Sequence, residues 1–379
     1  MMSKRHTFSR TVVAFALAMT VPVAASHADN GSKGDSSGSS TSQSGSARTG
    51  KSASAASETV SVTAPVTKAD GTKVVTAHKV SAGERKTALA SGAPTGRAAE
   101  RDAAARKAVR EYWTRERLAS AKPMPLPSGP KADKSSLRKG AAKAEQTLKA
   151  HKAAGKTTRV NGKVFFNDDR GGKYECSASA VDSASKRVVV TAAHCVYAGK
   201  NKYFSNWMFI PGYDNGNKPY GTFQAQHFHV LQDYIHRGND AGSDWNSDVA
   251  FVTTKDSEQG KRLVDAVGGH KVVTGKTTEF NATIFGYPHN IDKGLTLQTC
   301  SKMTKDTWAN RKYHFHTVTG CNLKEGASGG PWLENYNEKT GVGEIRTVTS
   351  FGSETDAYLG GPRFDDRAKK LFEEANSDK

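Results

Sequence analysis

The pattern of apolar and polar positions changes at Arg159. Beyond it, short runs rich in Val, Ile, Phe, Thr and Tyr recur between clusters of Gly, Asn and Asp. The runs are VFF at 164–166, RVVVTAA at 187–193, WMFI at 207–210, DVAFV at 248–252, ATIFGY at 282–287, YHFHTV at 313–318 and EIRTVTSF at 344–351. Short strands separated by turn residues predict an all-β sandwich or barrel. At the C-terminal end, one helical face carries Phe364, Ala368, Leu371, Phe372 and Ala375, so we predict a single helix docked on the β body.

The residues before 160 predict a different organisation. Residues 29 to about 57 are Gly, Ser, Thr and Ala with scattered charge, a composition that predicts disorder. Residues 58–80 alternate valine with polar residues, which fits either short strands or an extended linker. The Ala-, Arg- and Glu-rich run 98–119 predicts a helix, and the proline-rich connector 122–130 ends it. Residues 136–154 fit a helix or disorder.

Charge is concentrated in the first part of the chain. The formal net charge is +18, and residues 1–160 hold 28 of the 55 Lys and Arg residues but only 11 of the 37 Asp and Glu residues. Clustered basic residues favour nucleic acid, but this part has only four aromatic residues on which bases could stack. We therefore expect no nucleic-acid partner, and consider contact of the basic segment with an anionic cell wall instead.

The first 28 residues are typical of an export signal. Basic residues precede an apolar run at 11–25 that is short for a membrane span. Small residues favour cleavage after Ala28, with Ala25 as the alternative. We expect a secreted, extracellular protein without integral membrane association after signal removal, and a retained anchor is the alternative.

All four cysteines, Cys176, Cys195, Cys300 and Cys321, lie after residue 160. An even number in an exported chain favours disulfides, and three pairings are possible. Sequence order favours Cys176–Cys195 and Cys300–Cys321, and no pair has the spacing of a zinc site.

Three segments carry candidate catalytic side chains. His194 follows the run RVVVTAA, so its ring would be held at the end of a strand. Asp248 begins another apolar run, where a carboxylate drawn partly out of water can fix the tautomer of an imidazole. Ser328 lies in GASGGP, whose glycines let the backbone turn tightly and expose the hydroxyl and nearby amides.

These segments resemble the chymotrypsin/trypsin-like serine peptidases. The resemblance rests on TAAHC at 191–195, SDVAFV at 247–252, GASGGP at 326–331 and SFG at 350–352, in the order His, Asp, Ser. GYP at 286–288 is similar to the bacterial secreted, glutamyl-endopeptidase-like branch of that family. The resemblance covers about residues 160–379 and implies two antiparallel six-stranded β-barrels.

The resemblance also implies roles for the matched residues. Ser328 would be the nucleophile, His194 the general base and Asp248 the group that orients the imidazole. The amides of Gly326 and Ser328 would form the oxyanion hole. The implied substrate-binding residues are Ser350, Phe351 and Gly352, which pair with a peptide strand, and Asn322 and Leu323 towards the base of the specificity pocket. No cofactor and no metal ion are implied.

Two positions depart from the family pattern. Ala327 stands where animal trypsins carry an Asp that pairs with the newly freed amino terminus, so removal of an N-terminal segment should relieve a block instead of completing an ion pair. Thr349 stands where the glutamyl-specific branch carries a His that reads the substrate glutamate, which argues against glutamate specificity.

Other polar clusters fit more than one role. Asp240 and Asp244 lie in a Gly-, Ser- and Asn-rich loop and fit turn formation or calcium binding. Histidines alternate along two strand-like runs, where packing roles are simpler than metal binding; they are His227, His229, His314 and His316.

We therefore predict a monomeric, secreted serine endopeptidase that is made as a zymogen and acts on proteins or peptides. Its parts would be a signal peptide at 1–28, a basic propeptide at 29–159 and a peptidase domain at 160–379, with a cut near Lys156 or Arg159. The alternative is a catalytically silent binding protein on the same fold.

Overall fold

A computed structural model describes residues 58–81, 84, 96–131, 151–153, 159–237, 245–276, 279–309, 313–353 and 358–378. The predicted signal, residues 29–57, most of residues 136–154 and the loop with Asp240 and Asp244 lie outside the described residues. Strands are the predominant regular secondary structure of the described residues, which confirms the predicted all-β class.

The secondary structure falls into three parts of the chain. Residues 58–153 contain β1 (Thr59–Thr63), β2 (Val66–Thr67), β3 (Lys73–Val75), α1 (Arg97–Tyr112), α2 (Arg115–Ala119), β4 (Lys122–Pro123) and β5 (His151–Lys152). Residues 159–267 contain β6 (Asn161–Asn167), β7 (Lys173–Val181), β8 (Val188–Thr191), β9 (Tyr197–Gly199), β10 (Lys202–Tyr203), β11 (Ser205–Pro211), β12 (Phe223–Leu231), α3 (Gln232–Arg237), β13 (Ala250–Thr254) and α4 (Leu263–Val267). The rest contains β14 (Lys271–Val272), β15 (Asn281–Gly286), β16 (Gln298–Met303), β17 (Lys305–Ala309), β18 (Tyr313–Thr319), β19 (Pro331–Asn337), β20 (Val342–Val348), β21 (Phe351–Ser353), β22 (Tyr358–Pro362) and α5 (Asp366–Ser377).

The first half of the β body is a closed six-stranded barrel. Its hydrogen-bonded order is β12-β11-β6-β7-β8-β13, and β13 pairs back with β12 to close the ring. All six strands pair antiparallel, as predicted. The four residues of β8 are all buried, because the apolar run VVVT faces the barrel interior on one side and packed chain on the other.

The second half divides its strands between two sheets. One sheet has the order β14-β20-β19-β15-β16-β5, and the other has the order β17-β18-β22-β21. The short strand β14 pairs parallel with β20, whereas the longer pairs are antiparallel. The predicted C-terminal helix is confirmed as α5, which begins at an N-cap formed by the side chain of Asp365 and buries Ala368, Leu371 and Ala375.

The N-terminal arm, residues 58–131, packs on the first barrel. Strand β1 pairs antiparallel with β12 and so extends the barrel sheet by one strand. Strands β2 and β3 form a short hairpin. The alternating valines at 58–80 therefore form short strands instead of a linker, because Val60 and Val62 bury their side chains.

The predicted helix at 98–119 is present, but as two helices. It breaks between α1 and α2, where the side chain of Thr114 accepts a hydrogen bond from the amide of Arg117 and caps α2. Trp113, at the break, is buried against Phe165, and its indole nitrogen donates to the carbonyl of Asn206 at 2.7 Å. The break thus turns a large aromatic side chain into the core.

Among the described residues, no helix is both long and apolar enough to cross a membrane.

Candidate active site

Asp248 binds His194 through both carboxylate oxygens, one at the imidazole and one at the backbone amide. His194 lies in the 3-10 turn Ala193–Cys195 after β8, and Asp248 lies just before β13, the strand that pairs with β8. Nδ1 of His194 is 2.8 Å from Oδ2 of Asp248, and the backbone amide of His194 donates to Oδ1 at 2.9 Å. These contacts keep a proton on Nδ1, so Nε2 is left as the basic nitrogen.

Two further groups surround this carboxylate. The hydroxyl of Ser350 donates to Oδ2 of Asp248, a contact that the motif did not indicate. Tyr234 lies in α3, and burial, together with the negative charge of Asp248, raises its pKa well above the ordinary value. The phenol of Tyr234 therefore remains neutral.

The loop that carries Ser328 requires glycine on both sides. Gly326 and Gly329 have φ angles of 89° and 81°. A Cβ atom at Gly326 would lie 2.6 Å from the carbonyl oxygen of Tyr287, and one at Gly329 would lie 2.0 Å from Oγ1 of Thr191. These close approaches seat the loop against the chain segment that leads into His194.

The carbonyl groups of this loop bind Ser177. Ser177 Oγ donates to the carbonyl of Gly326 at 2.8 Å, and the amide of Ser177 donates to the carbonyl of Ser328 at 2.8 Å. Among the described residues, the amides of Gly326 and Ser328 have no acceptor. Two free amides beside a hydroxyl are the arrangement that stabilises an oxyanion. Nothing in the spacing of the sequence singled out Ser177.

Nε2 of His194 and Oγ of Ser328 are both buried. Neither atom has a hydrogen-bond partner within the described parts of the chain. Ser328 has no exposed surface and His194 is 7% exposed. Catalytic hydrogen bonds are commonly long in structures without substrate and tighten when it binds.

The residues predicted to bind substrate have mixed placements. Leu323 is buried in an apolar cluster, and Phe351 is buried in an aromatic one with Phe315 and Tyr358. Asn322, in contrast, has an exposed side chain, which is not the placement expected of a residue at a pocket base. Thr349 is buried, and its hydroxyl accepts a hydrogen bond from the indole of Trp332 at 2.9 Å.

A segment of the N-terminal arm covers this region. We call residues 123–130 the cleft segment. Gly352 donates its amide to the carbonyl of Pro127 at 3.0 Å and accepts from the amide of Gly129 at 2.7 Å. At the other end, the amide of Met124 donates to the carbonyl of Glu175 at 2.9 Å. The sequence predicted only a connector here.

Both disulfides favoured by sequence order are present, Cys176–Cys195 and Cys300–Cys321. The first lies beside His194, and in the described residues Cys176, His194 and Cys195 are the one group spaced closely enough to hold a metal ion. The two sulfurs are bonded to each other, so neither offers the thiolate that a metal requires. This donor set does not fit a metal site.

The predicted histidine clusters have structural partners. Oδ2 of Asp378 lies 3.0 Å from Nδ1 of His227 and 2.9 Å from Nε2 of His229, which ties the end of α5 to β12. His314 pairs with Asp306 on the neighbouring strand. Burial lowers the pKa of His316 to about 3, so this ring is neutral at physiological pH.

The closed barrel, the half built from two sheets, and the His194–Asp248 pair on the first barrel define a chymotrypsin-like serine peptidase fold. The family model described as Trypsin matches residues 151–364, more than half of the chain. The chain belongs to the trypsin family.

Solved structures that resemble this chain include two proteases. Protease Anisep from Arthrobacter nicotinovorans is 27% identical, with a TM-score of 0.53 over 60% of this chain and 99% of that chain. The thermostable serine protease AL20 from an extremophilic microorganism is 25% identical, with a TM-score of 0.51 over 59% of this chain and 99% of that chain.

One curated relative matches at the level of sequence. An Extracellular metalloprotease of Bacillus subtilis (strain 168) is 27% identical over 183 residues, which are 48% of this chain and 52% of the relative. The chain thus spans about half the length of the curated relative it matches.

Proposed function

We propose that this chain is a secreted serine endopeptidase, made as a zymogen, that hydrolyses peptide bonds of proteins and peptides through an acyl-enzyme. The observation that carries the proposal is the 2.8 Å contact of His194 with Asp248, together with the packing of the loop that carries Ser328 against Thr191 and Ala192, just before His194. The two disulfides fit an oxidising, extracellular environment.

Each residue has one task in the reaction. His194 Nε2 removes the proton from Ser328 Oγ, which attacks the substrate carbonyl carbon. The amides of Gly326 and Ser328 stabilise the negative oxygen that forms, and His194 then returns the proton to the leaving amine. A water molecule, activated in the same way, hydrolyses the ester on Ser328. Asp248 holds the ring and stabilises its positive charge throughout.

The zymogen part of the proposal rests on the cleft segment. It pairs with Gly352, and Ser328 has no exposed surface while it is in place. Ala327 offers no charge to a new amino terminus, so a cut near Lys156 or Arg159 would act by freeing the cleft. The active species would be a monomer, and the basic residues removed with the propeptide would be free to contact an anionic cell wall.

A fluorophosphonate probe tests the proposed function. The processed protein should be labelled at Ser328, and the Ser328→Ala variant should be neither labelled nor active against casein. EDTA should leave both labelling and proteolysis unchanged, which separates this chemistry from that named for the Bacillus relative. Folded, processed protein that is not labelled would instead support the silent binding protein.

A further inference from the structure

The cleft segment crosses the front of the candidate site from β7 to β21. Strand β4 pairs parallel with β7, with Pro123 opposite Glu175. The chain then passes Gly326, because a Cβ atom placed there would lie 3.5 Å from Cβ of Pro123. It ends against Gly352, where Ser128 forms a parallel bridge. The segment therefore follows the path of a bound peptide.

Leu126 is the side chain of this segment that enters the apolar wall beside the nucleophile. It packs against the cluster that contains Leu323, Ala327 and Leu359, and Ala327 directly precedes Ser328. A Cβ atom at Gly352 would lie 2.8 Å from Cδ2 of Leu126. Met124 packs instead against the core of the first barrel. Leu126 is thus the side chain of this segment whose size and chemistry indicate what the pocket can bind.

The position where glutamate readers carry a histidine holds no positive charge in this chain. It is occupied by Thr349, whose buried hydroxyl accepts a hydrogen bond from the indole of Trp332. A single neutral hydroxyl cannot offset the charge of a carboxylate drawn out of water, whereas apolar walls favour apolar side chains by excluding water.

The chain direction prevents attack on the segment. For cleavage after Leu126, its carbonyl would have to lie at the amides of Gly326 and Ser328. Here the residues before Leu126 run past Gly326, and the carbonyl side continues through Pro127 to Gly352. The direction is therefore the reverse of the one that acyl transfer needs.

Prolines at 123, 125, 127 and 130 keep the segment extended. A stiff, extended chain loses little conformational entropy on binding, so even a short segment can bind stably in the cleft. Of the four amides that the prolines leave, those of Met124 and Gly129 donate to the cleft walls.

We propose that the primary specificity pocket takes an apolar side chain of leucine or methionine size, and that Leu126 fills it as a reversed, uncleaved ligand. This inference rests on the proposed function. It assigns the substrate class of the site and names the residue that blocks the site in the precursor.

Probe labelling of the uncut precursor tests the reversed ligand. The full-length band on a denaturing gel is followed for the wild type, for Leu126→Glu and for the milder Leu126→Ala. Because a labelling rate follows the open fraction, we expect about tenfold faster labelling for Leu126→Glu and a smaller gain for Leu126→Ala. Val75→Glu, at another half-buried apolar position of the arm, should label at the wild-type rate. Equal rates for the wild type and both Leu126 variants would overturn the reversed ligand.

Peptide cleavage by the processed enzyme tests the pocket. Peptides that differ only in the residue before the cleaved bond should be cut at least about tenfold faster with Leu or Met than with Glu or Lys. A preference for Glu would overturn the assignment and point to Lys302, which follows Cys300 by two residues on β16 and so shares its face. Processed enzyme that takes no probe at Ser328 would refute the proposed function itself, a different result from either outcome above.

Discussion

Asp248 is the residue with the most partners at the candidate site. It accepts from the ring and the amide of His194 and from the hydroxyl of Ser350. An acceptor with this many donors fixes the direction of the imidazole more firmly than a single contact would. The sequence indicated the His–Asp pair, but the contact with Ser350 depends on a residue between β20 and β21, about one hundred residues further along the chain.

Replacing Asp248 by Asn should reduce kcat by about 10⁴-fold, because an amide can donate to Nδ1 and so stabilises the wrong tautomer of His194. The measurement is peptide hydrolysis by the processed enzyme. Asp256→Asn is the matched control, since Asp256 pairs with Arg187 beyond the other end of β13 and should leave kcat unchanged. A loss smaller than about tenfold for Asp248→Asn would contradict the proposed role.

The loop that carries Ser328 shows which features of a site a sequence motif can indicate and which it cannot. GASGGP identified the two glycines, and their positive φ angles and close approaches explain why no other residue fits. It did not indicate Ser177, whose hydroxyl donates to the carbonyl of Gly326 and whose amide donates to the carbonyl of Ser328. Ser177 follows a cysteine in a buried strand, and no motif marks a serine at that position as part of a site.

The N-terminal arm is an element of the fold as well as a cover for the cleft. Strand β1 extends the barrel sheet, and Thr59 and Ser61 both donate to Glu374 of α5. Trp113 places its indole on Phe165 in the first barrel. Strand pairing and aromatic burial of this kind stabilise the arm on the body in the uncut chain.

Trp113→Ala should lower the free energy of unfolding by about 3–5 kcal/mol, because it leaves a cavity at the junction of arm and barrel. It also removes the hydrogen bond to the carbonyl of Asn206. Urea unfolding of the intact chain measures the change. Trp308→Ala is the control, since Trp308 is 42% exposed and its loss should cost less than about 1 kcal/mol. Similar costs for the two variants would show that the arm adds little to stability.

His270 connects the two halves of the whole molecule. Nδ1 accepts from the amide of Gly343 at 3.1 Å, and Nε2 lies 3.1 Å from the side-chain oxygen of Asn161. Asn161 belongs to β6 and Gly343 to β20, so one neutral ring bridges both sheets. Burial lowers the pKa of His270 to about 3, because the charged ring would lose its water.

The protein should therefore become less stable in mild acid. Between pH 6.5 and about 3 the unfolded chain binds a proton at this histidine and the folded chain does not, so stability falls by up to about 1.4 kcal/mol per pH unit. His270→Gln should cost stability at pH 7, and this difference from the wild type should shrink as the pH falls. Urea unfolding at pH 7, 6, 5 and 4 measures both curves. His151→Gln, at an exposed position, should give a curve parallel to that of the wild type; a His270→Gln curve equally parallel would refute the assignment.

The sequence by itself was sufficient for the features that depend on local pattern. Strand runs, the terminal helix, the two cysteine pairs and the three candidate catalytic side chains all follow from period, turn residues and short motifs, because those are properties of neighbouring residues. Only the tertiary structure decided which distant groups meet. It brought Ser350 to Asp248, buried Trp113 against the barrel, exposed Asn322 and placed Leu126 against the apolar cluster that contains Ala327. Such contacts join residues far apart in the chain, and they depend on how the sheets close and pack, which no local pattern encodes.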